Sequence, residues 1–148
     1  MIQESNILLN IKTPKKPISK EMTTFYNPKM QSNRNISIAV LSAKFKIDNK
    51  PRTIALPLSG SGIRALRFLD ELDTTNIKEI SINDSKANFI AEFETNLKLN
   101  KLNKKTINKK IILKNQDANQ FLLNNIGFDY IDIDPFGSPN PFLAAAIN

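Results

Sequence analysis

The chain has 148 residues, of which 41% are hydrophobic and 24% charged, with a formal charge of +7 and neither cysteine nor histidine. That length suits one domain, and the composition excludes disulfides, thiol redox chemistry, Ser-His-Asp triads and ordinary zinc sites, so no metal is expected. No apolar run approaches the roughly 18 residues of a membrane span, and no secretory pattern opens the chain, so a cytoplasmic protein with no membrane contact is expected. The chemistry left to it must use carboxylates, backbone amides, aromatics or a bound cofactor.

Residues 1–35 read as an irregular segment, in which Ile7 to Ile11 predicts a short strand. Lys12 to Lys20 holds Pro14 and Pro17 among lysines and reads as an exposed loop. Thr23 to Asn35 is polar, with Phe25 and Tyr26 adjacent and Pro28 just beyond. Ile36 to Ala43 fits a helix or a strand, the helix being favoured. From Thr53 the pattern sharpens. Thr53 to Leu58 reads as a buried strand, although Pro57 within it removes one ladder donor. Ser59 to Gly62 is a tight turn. Ile63, Leu66, Leu69 and Leu72 then recur at helical spacing. Ile77 to Asn83 alternates as a second strand ending at Asp84. Ser85 is placed to N-cap the next helix, which carries Phe89, Ile90, Phe93 and Leu97 on one face. A basic linker follows. Ile111 to Leu113 starts a third strand that runs out at Asp117, Ala118 to Asn124 is a short helix, and Phe128 to Asp134 is a fourth strand. After Pro135 to Pro141 a last helix starts at Phe142 and reaches Ile147.

Strand–helix alternation predicts an α/β fold with a parallel sheet and right-handed crossovers. Ligands bind such sheets at the carboxyl ends of the strands. The Gly turn, Asp84, Asp117 and Asp134 all fall there, one at each of four strand ends. A fourth strand at the sheet edge would be apolar and open to pairing. The last helix also ends without a glycine cap or a basic last turn. The chain is therefore expected to be part of something larger, with a protein partner or a further segment completing the fold.

Gly60-Ser-Gly62-Ile-Arg-Ala65 fits G-x-G-x-x-A, and Asp84 lies about 20 residues on, as a dinucleotide site requires. A methyl-donor site uses the same physics: backbone approaches the cofactor at the turn, and an acid at the end of strand two accepts from ribose hydroxyls. A plain tight turn also accounts for the glycines. Asp134-Pro-Phe-Gly137 discriminates between these readings. An exocyclic base amine is a poor nucleophile because its lone pair is delocalised into the ring. A carboxylate accepting its N–H bonds localises that pair, a Pro stiffens the turn and an aromatic stacks on the extruded base. A strand-to-helix turn with Pro at the first helical position is the simpler alternative. The stretch Lys98 to Lys114 holds seven lysines and no acid. It fits either a polyanion such as RNA or a solvated face.

Phe25-Tyr-Asn-Pro-Lys-Met-Gln-Ser-Asn-Arg-Asn35, Ser59-Gly-Ser-Gly-Ile-Arg-Ala-Leu-Arg67, Asn83-Asp84, Asn96 to Asn100, Asp117-Ala118 and Tyr130-Ile-Asp-Ile-Asp-Pro-Phe-Gly-Ser-Pro139 occur in the order and spacing of a known family. The chain resembles the tRNA guanine-26 N2-dimethyltransferases. The resemblance implies a Rossmann-like class I methyltransferase fold, present here as about its first four strands in the order 3-2-1-4. It divides the chain into an N-terminal extension, 1–35, and the N-terminal half of an S-adenosylmethionine-binding domain, 36–148. It implies methyl transfer from S-adenosylmethionine to the N2 amine of guanine 26 in tRNA, once or twice. By position, Asp134 would accept from the guanine amine, and Phe25 and Phe136 would sandwich the base. Arg34, Ser59, Gly60, Gly62, Arg64, Asp84, Asp117 and Ala118 would line the cofactor site, with Asp84 at the ribose and Asp117 and Ala118 beside the adenine. Lys98, Lys101, Lys104 and Lys105 are the candidate tRNA contacts.

Three function classes stand at this point. A tRNA methyltransferase, or its N-terminal half, accounts for every motif. A non-catalytic tRNA-binding or assembly subunit would keep the lysines and the open strand edge but transfer no methyl. An NAD(P)-dependent oxidoreductase rests only on the Gly turn and Asp84, and leaves the Asp134–Gly137 turn unexplained.

Overall fold

The computed structural model describes residues 1–11, 26–102, 107, 109–125 and 127–147. The Lys12–Lys20 loop, Phe25, Lys104 and Lys105 lie outside the described residues. A hairpin opens the chain: β1 (Ile2–Glu4) pairs antiparallel with β2 (Ile7–Leu9). Then come α1 (Gln31–Asp48), β3 (Arg52–Leu56), α2 (Ile63–Glu71), β4 (Ile77–Asn83), α3 (Phe89–Leu99), β5 (Ile111–Lys114), α4 (Ala118–Leu123), β6 (Tyr130–Ile131) and α5 (Asn140–Ala146). Short 3₁₀ turns precede α1 and β4.

Strands β3 to β6 form one parallel sheet in the order β5-β4-β3-β6. In the count of the four predicted strands this is 3-2-1-4, as expected. Alternation along β3 divides the core between the two faces of the sheet. Ile54 and Leu56 join the larger cluster with Ile80, Ile82, Leu66, Phe68 and Phe93, against which the hairpin's Ile7 and Leu9 and α1's Leu41 and Phe45 pack. Ala55 faces the other way, onto Phe121 and Leu122 of α4. The hairpin is bolted to α3 through side-chain amides: Leu8 N donates to Asn100 Oδ1 at 2.7 Å and Asn10 N to Asn96 Oδ1 at 2.6 Å. No described helix is long and apolar enough to cross a membrane.

Several local expectations are corrected. Residues 1–35 are not all irregular, because α1 begins at Gln31, prepared by Asn27, whose Oδ1 caps Lys29 N, and by Pro28 in the first turn. Pro57 lies just beyond β3 rather than inside it, so it removes no ladder donor. Its carbonyl is used instead, accepting from Asn83 Nδ2 at 2.9 Å. Ser85 does not cap α3; Asn88 occupies that position and makes no side-chain cap. Strand β6 spans only Tyr130–Ile131, shorter than Phe128 to Asp134, although Asp129 N and Asp132 N still reach Thr53 and Ala55 carbonyls at 3.0 Å.

Candidate active site

The carboxyl ends of β3, β4 and β5 are tied together by one buried side chain. Asn83 Nδ2 donates to the carbonyls of Pro57 and Gln116, at 2.9 and 3.0 Å, and its Oδ1 accepts from Gln116 N at 3.1 Å. Ser59 N donates to the Asn83 carbonyl at 3.0 Å. The Gly turn is therefore held against the end of β4. Gly60 and Gly62 both adopt left-handed backbone, with φ of 55° and 75°. That conformation is costly for any residue with a β-carbon. The turn brings Gly60 N within 2.6 Å of Asp84 Oδ2, while Asp84 Oδ1 accepts from Lys86 N. Asp84 thus sits against the Gly turn.

Asp117 is exposed and caps α4, accepting from Asn119 N and Gln120 N at 2.9 and 3.1 Å. Ala118 beside it is buried. Both lie on the same edge of the sheet as Asp84, at the end of β5. Asn115, next to them, donates to the Asp84 and Lys86 carbonyls.

On the other side of the Gly turn, Arg34, Ser59, Gly60, Arg64 and Asp134 line one narrow recess together with Tyr26, Asn27, Met30, Ser61 and Asp132. A wider cleft of about 390 Å³ adjoins it, walled by Asn27, Met30, Asp134, Pro135, Phe136 and Gly137. Asn27, Met30 and Asp134 belong to both cavities. Asp134 therefore stands where recess and cleft meet. Phe136 is half exposed on the cleft wall.

The arginines are not surface charges. Arg34 lies in a buried cluster around Glu4, which is 2% exposed. Its Nε donates to Glu4 Oε1 at 2.8 Å and its Nη2 to Oε2. Arg67 Nη1 and Tyr26 Oη donate to the same carboxylate, each at 3.0 Å. Burial alone would raise the Glu4 pKa, but the hydrogen bond and charge of Arg34, with Tyr26 and Arg67, outweigh it and hold the carboxyl below its ordinary value. Arg64 reaches Asp134 Oδ2 at 2.6 Å and Asp132 Oδ2 at 3.2 Å. Behind it, burial and the Asp132 charge push the Tyr130 phenol up to about 12.

Lys98 and Lys101 are exposed, at the turn where α3 leads back to the amino end of β5. That is the sheet end opposite the recess. Lys110 in the same stretch is structural, its Nζ donating to the Thr74 and Ile77 carbonyls. Sequence reasoning missed Glu4, Asn83 and Asp132 as site supports. A signal existed for Asp132: Tyr130, Asp132 and Asp134 share one face at period two. None existed for Glu4, whose partners lie 22 to 63 residues away.

Residues 4–148 match the family described as N2,N2-dimethylguanosine tRNA methyltransferase. A tRNA (guanine(26)-N(2)/guanine(27)-N(2))-dimethyltransferase of Aquifex aeolicus is 36% identical over 145 residues, covering 97% of this chain and 36% of that protein. A tRNA (guanine(26)-N(2))-dimethyltransferase of Methanococcus aeolicus is 42% identical over 135 residues, covering 88% of this chain and 34% of that protein. The solved structure of Trm1 from Pyrococcus horikoshii with S-adenosyl-L-methionine superposes with a TM-score of 0.77 at 30% identity, over 99% of this chain and 38% of that one. The M. jannaschii tRNA m1G37 methyltransferase shares the fold, with a TM-score of 0.63 at 18% identity. The chain spans about a third of the length of these relatives. With residues 4–148 matched, a Rossmann-like parallel sheet and the Gly turn joined to Asp84, the chain belongs to the N2,N2-dimethylguanosine tRNA methyltransferase family.

Proposed function

We propose that this chain forms the cofactor-binding and base-reading part of a cytoplasmic tRNA methyltransferase acting on the N2 amine of guanine 26, for one or two transfers. The observation that carries the reading is the position of Asp134, at the junction of a recess lined by the Gly turn and a cleft walled by Phe136. A methyl donor and a base approaching from opposite sides would meet at that carboxylate.

The residues present fit S-adenosylmethionine. Ser61 Oγ, in the Gly turn and on the recess wall, is buried and has no hydrogen-bond partner among the described residues. A buried hydroxyl left unpaired costs free energy that a polar ligand group recovers. The turn of Ser59, Gly60 and Gly62 with Asp84 would hold the amino-acid and ribose portions. Asp117 and Ala118 would flank the adenine, with Arg34 on the recess wall; Arg64 borders the same recess but is paired with Asp132 and Asp134. When bound, the cofactor supplies a methyl group on a sulfonium, which makes it electrophilic. Asp134 would accept an N–H of the guanine amine, localising the nitrogen lone pair for in-line attack; as the N–C bond forms and the methyl–sulfur bond breaks, the carboxylate would take the proton that the nitrogen loses. Phe136 stacks on the base. Phe25 is proposed for its other face. Positioning in a closed site provides most of the acceleration. Lys98 and Lys101, remote from Asp134, would touch a distant part of the tRNA, with Lys104 and Lys105. A second chain or further segment completing the sheet beyond β6 is part of this reading.

The test is methyl transfer from labelled S-adenosylmethionine by the chain purified from its own cells with whatever copurifies. A transcript with guanine at position 26 is expected to be labelled, and one with adenine there is not. Asp134→Ala is expected to abolish the label. No label on either transcript would overturn the proposal.

A further inference from the structure

Arg64 offers its two terminal nitrogens to four protein acceptors. Nη1 donates to Ser37 Oγ at 2.7 Å and Asp132 Oδ2 at 3.2 Å. Nη2 donates to Asn33 Oδ1 at 2.7 Å and Asp134 Oδ2 at 2.6 Å. Each of these nitrogens carries two protons, so all four are committed within the protein.

The acceptors behind Arg64 are themselves held. Asp132 Oδ2 also accepts from Tyr130 Oη at 2.8 Å and from Ser37 Oγ at 3.0 Å. The Asp132 side chain is 8% exposed, that of Asp134 29%. Asp134 Oδ1 has no hydrogen-bond partner among the described residues, and its residue borders both cavities. One guanidinium thus lies between two carboxylates, a buried one at its back and an accessible one at its front. The group carries one positive and two negative charges, and the Asp134 oxygen to which no described residue donates remains able to accept.

We propose that Arg64 is a positioning residue for Asp134, and that Asp132, fastened by Tyr130 and Ser37, fixes Arg64 in that role. The inference rests on the reading of Asp134 as acceptor of the guanine amine. A carboxylate free to turn about its side-chain bonds would present its oxygens in many directions. Tethering Oδ2 to a planar fork leaves Oδ1 directed at the substrate side. A lysine cannot substitute, because its three donors cannot serve four acceptors in one plane.

The test uses the whole chain with its copurifying partners and compares wild type, Arg64→Lys, Asp132→Asn and Asn33→Ala. Three quantities are measured for each: affinity for S-adenosylhomocysteine by calorimetry, kcat and KM for the guanine-26 transcript, and the thermal midpoint. Arg64→Lys and Asp132→Asn are expected to lower kcat by about tenfold to a hundredfold. S-Adenosylhomocysteine affinity is expected to stay within about threefold of wild type. Asn33→Ala, which removes one neutral acceptor, should show a smaller kcat loss of the same kind. It decides the matter should either charge variant fail to fold. A loss of S-adenosylhomocysteine affinity as the main effect would overturn the inference and assign Arg64 to the cofactor. An unchanged kcat in the folded variants would overturn it as well. If Asp134→Asn abolishes transfer while these variants do not, only the inference falls. If wild type transfers no methyl, the reading of Asp134 falls and takes the inference with it.

Discussion

Gly62 and Phe93 approach so closely that a β-carbon built on Gly62 would lie 2.4 Å from Phe93 Cδ2. The second glycine of the turn is thus required twice, by its φ of 75° and by the ring of α3 packed over it. Phe93 is 1% exposed and has no room to retreat. Gly62→Ala is expected to destabilise the fold by about 2–4 kcal/mol, from left-handed strain and overpacking together. Urea denaturation followed by far-UV circular dichroism checks it; a midpoint equal to wild type would show that α3 can shift.

Glu4 binds the hairpin to α1 and α2 through Arg34, Arg67 and Tyr26. Its folded pKa lies below the ordinary 4.5. A depressed carboxyl stabilises the fold above the unfolded value and loses that contribution as pH falls through the folded one. Glu4→Gln leaves two buried guanidiniums without their shared carboxylate and is expected to cost about 3–5 kcal/mol at neutral pH. The gap from wild type should narrow as the pH falls below the ordinary 4.5 and through the depressed folded value, where the wild-type carboxyl takes up its proton. Denaturation midpoints across that range test the sign, and a gap that does not change with pH would contradict it.

The chain has two tyrosines and no tryptophan, so its ultraviolet titration reports tyrosine alone. Burial and the Glu4 contact raise Tyr26 above the ordinary phenol value of 10.0, and burial with Asp132 takes Tyr130 to about 12. Phenols raised in the folded state stabilise it below their unfolded value and lose that contribution as pH rises through the folded one. Absorbance at the tyrosinate band is expected to stay flat past pH 10 in the native protein and to rise near 10 in guanidinium. A native transition near 10 would show that one phenol is exposed.

Lys98 and Lys101 lie at the sheet end opposite the recess. If they contact tRNA phosphates, Lys98→Ala with Lys101→Ala should weaken binding at low salt and reduce the slope of log affinity against log salt by about 2. Filter binding over a salt series measures it. An unchanged slope would make them solvated surface charges.

The strand–helix alternation, the Gly turn, Asp84 at the end of the second strand and the Asp134–Gly137 turn were legible in the residues alone. Each rests on short-range pattern: period two, period 3.6, or the backbone freedom of glycine. The order 3-2-1-4 came from the family resemblance and is the order observed. Long-range partners were not legible. Arg34 and Arg64 stand out only as cofactor-site residues implied by the resemblance, and Arg67 not at all; all three are buried and ion-paired, and apart from Glu71 the carboxylates that neutralise them come from β1 and from the segment just after β6. Pro57 read as a flaw in a strand and is instead an acceptor for Asn83. What the sequence determined by itself is which elements form and which chemistry reaches the carboxyl edge of the sheet. The tertiary structure alone decided which buried charges are paired and how Asp134 is held, because burying a charge is tolerated only where an opposite charge and hydrogen bonds meet it, and those partners are supplied by segments far apart in the chain.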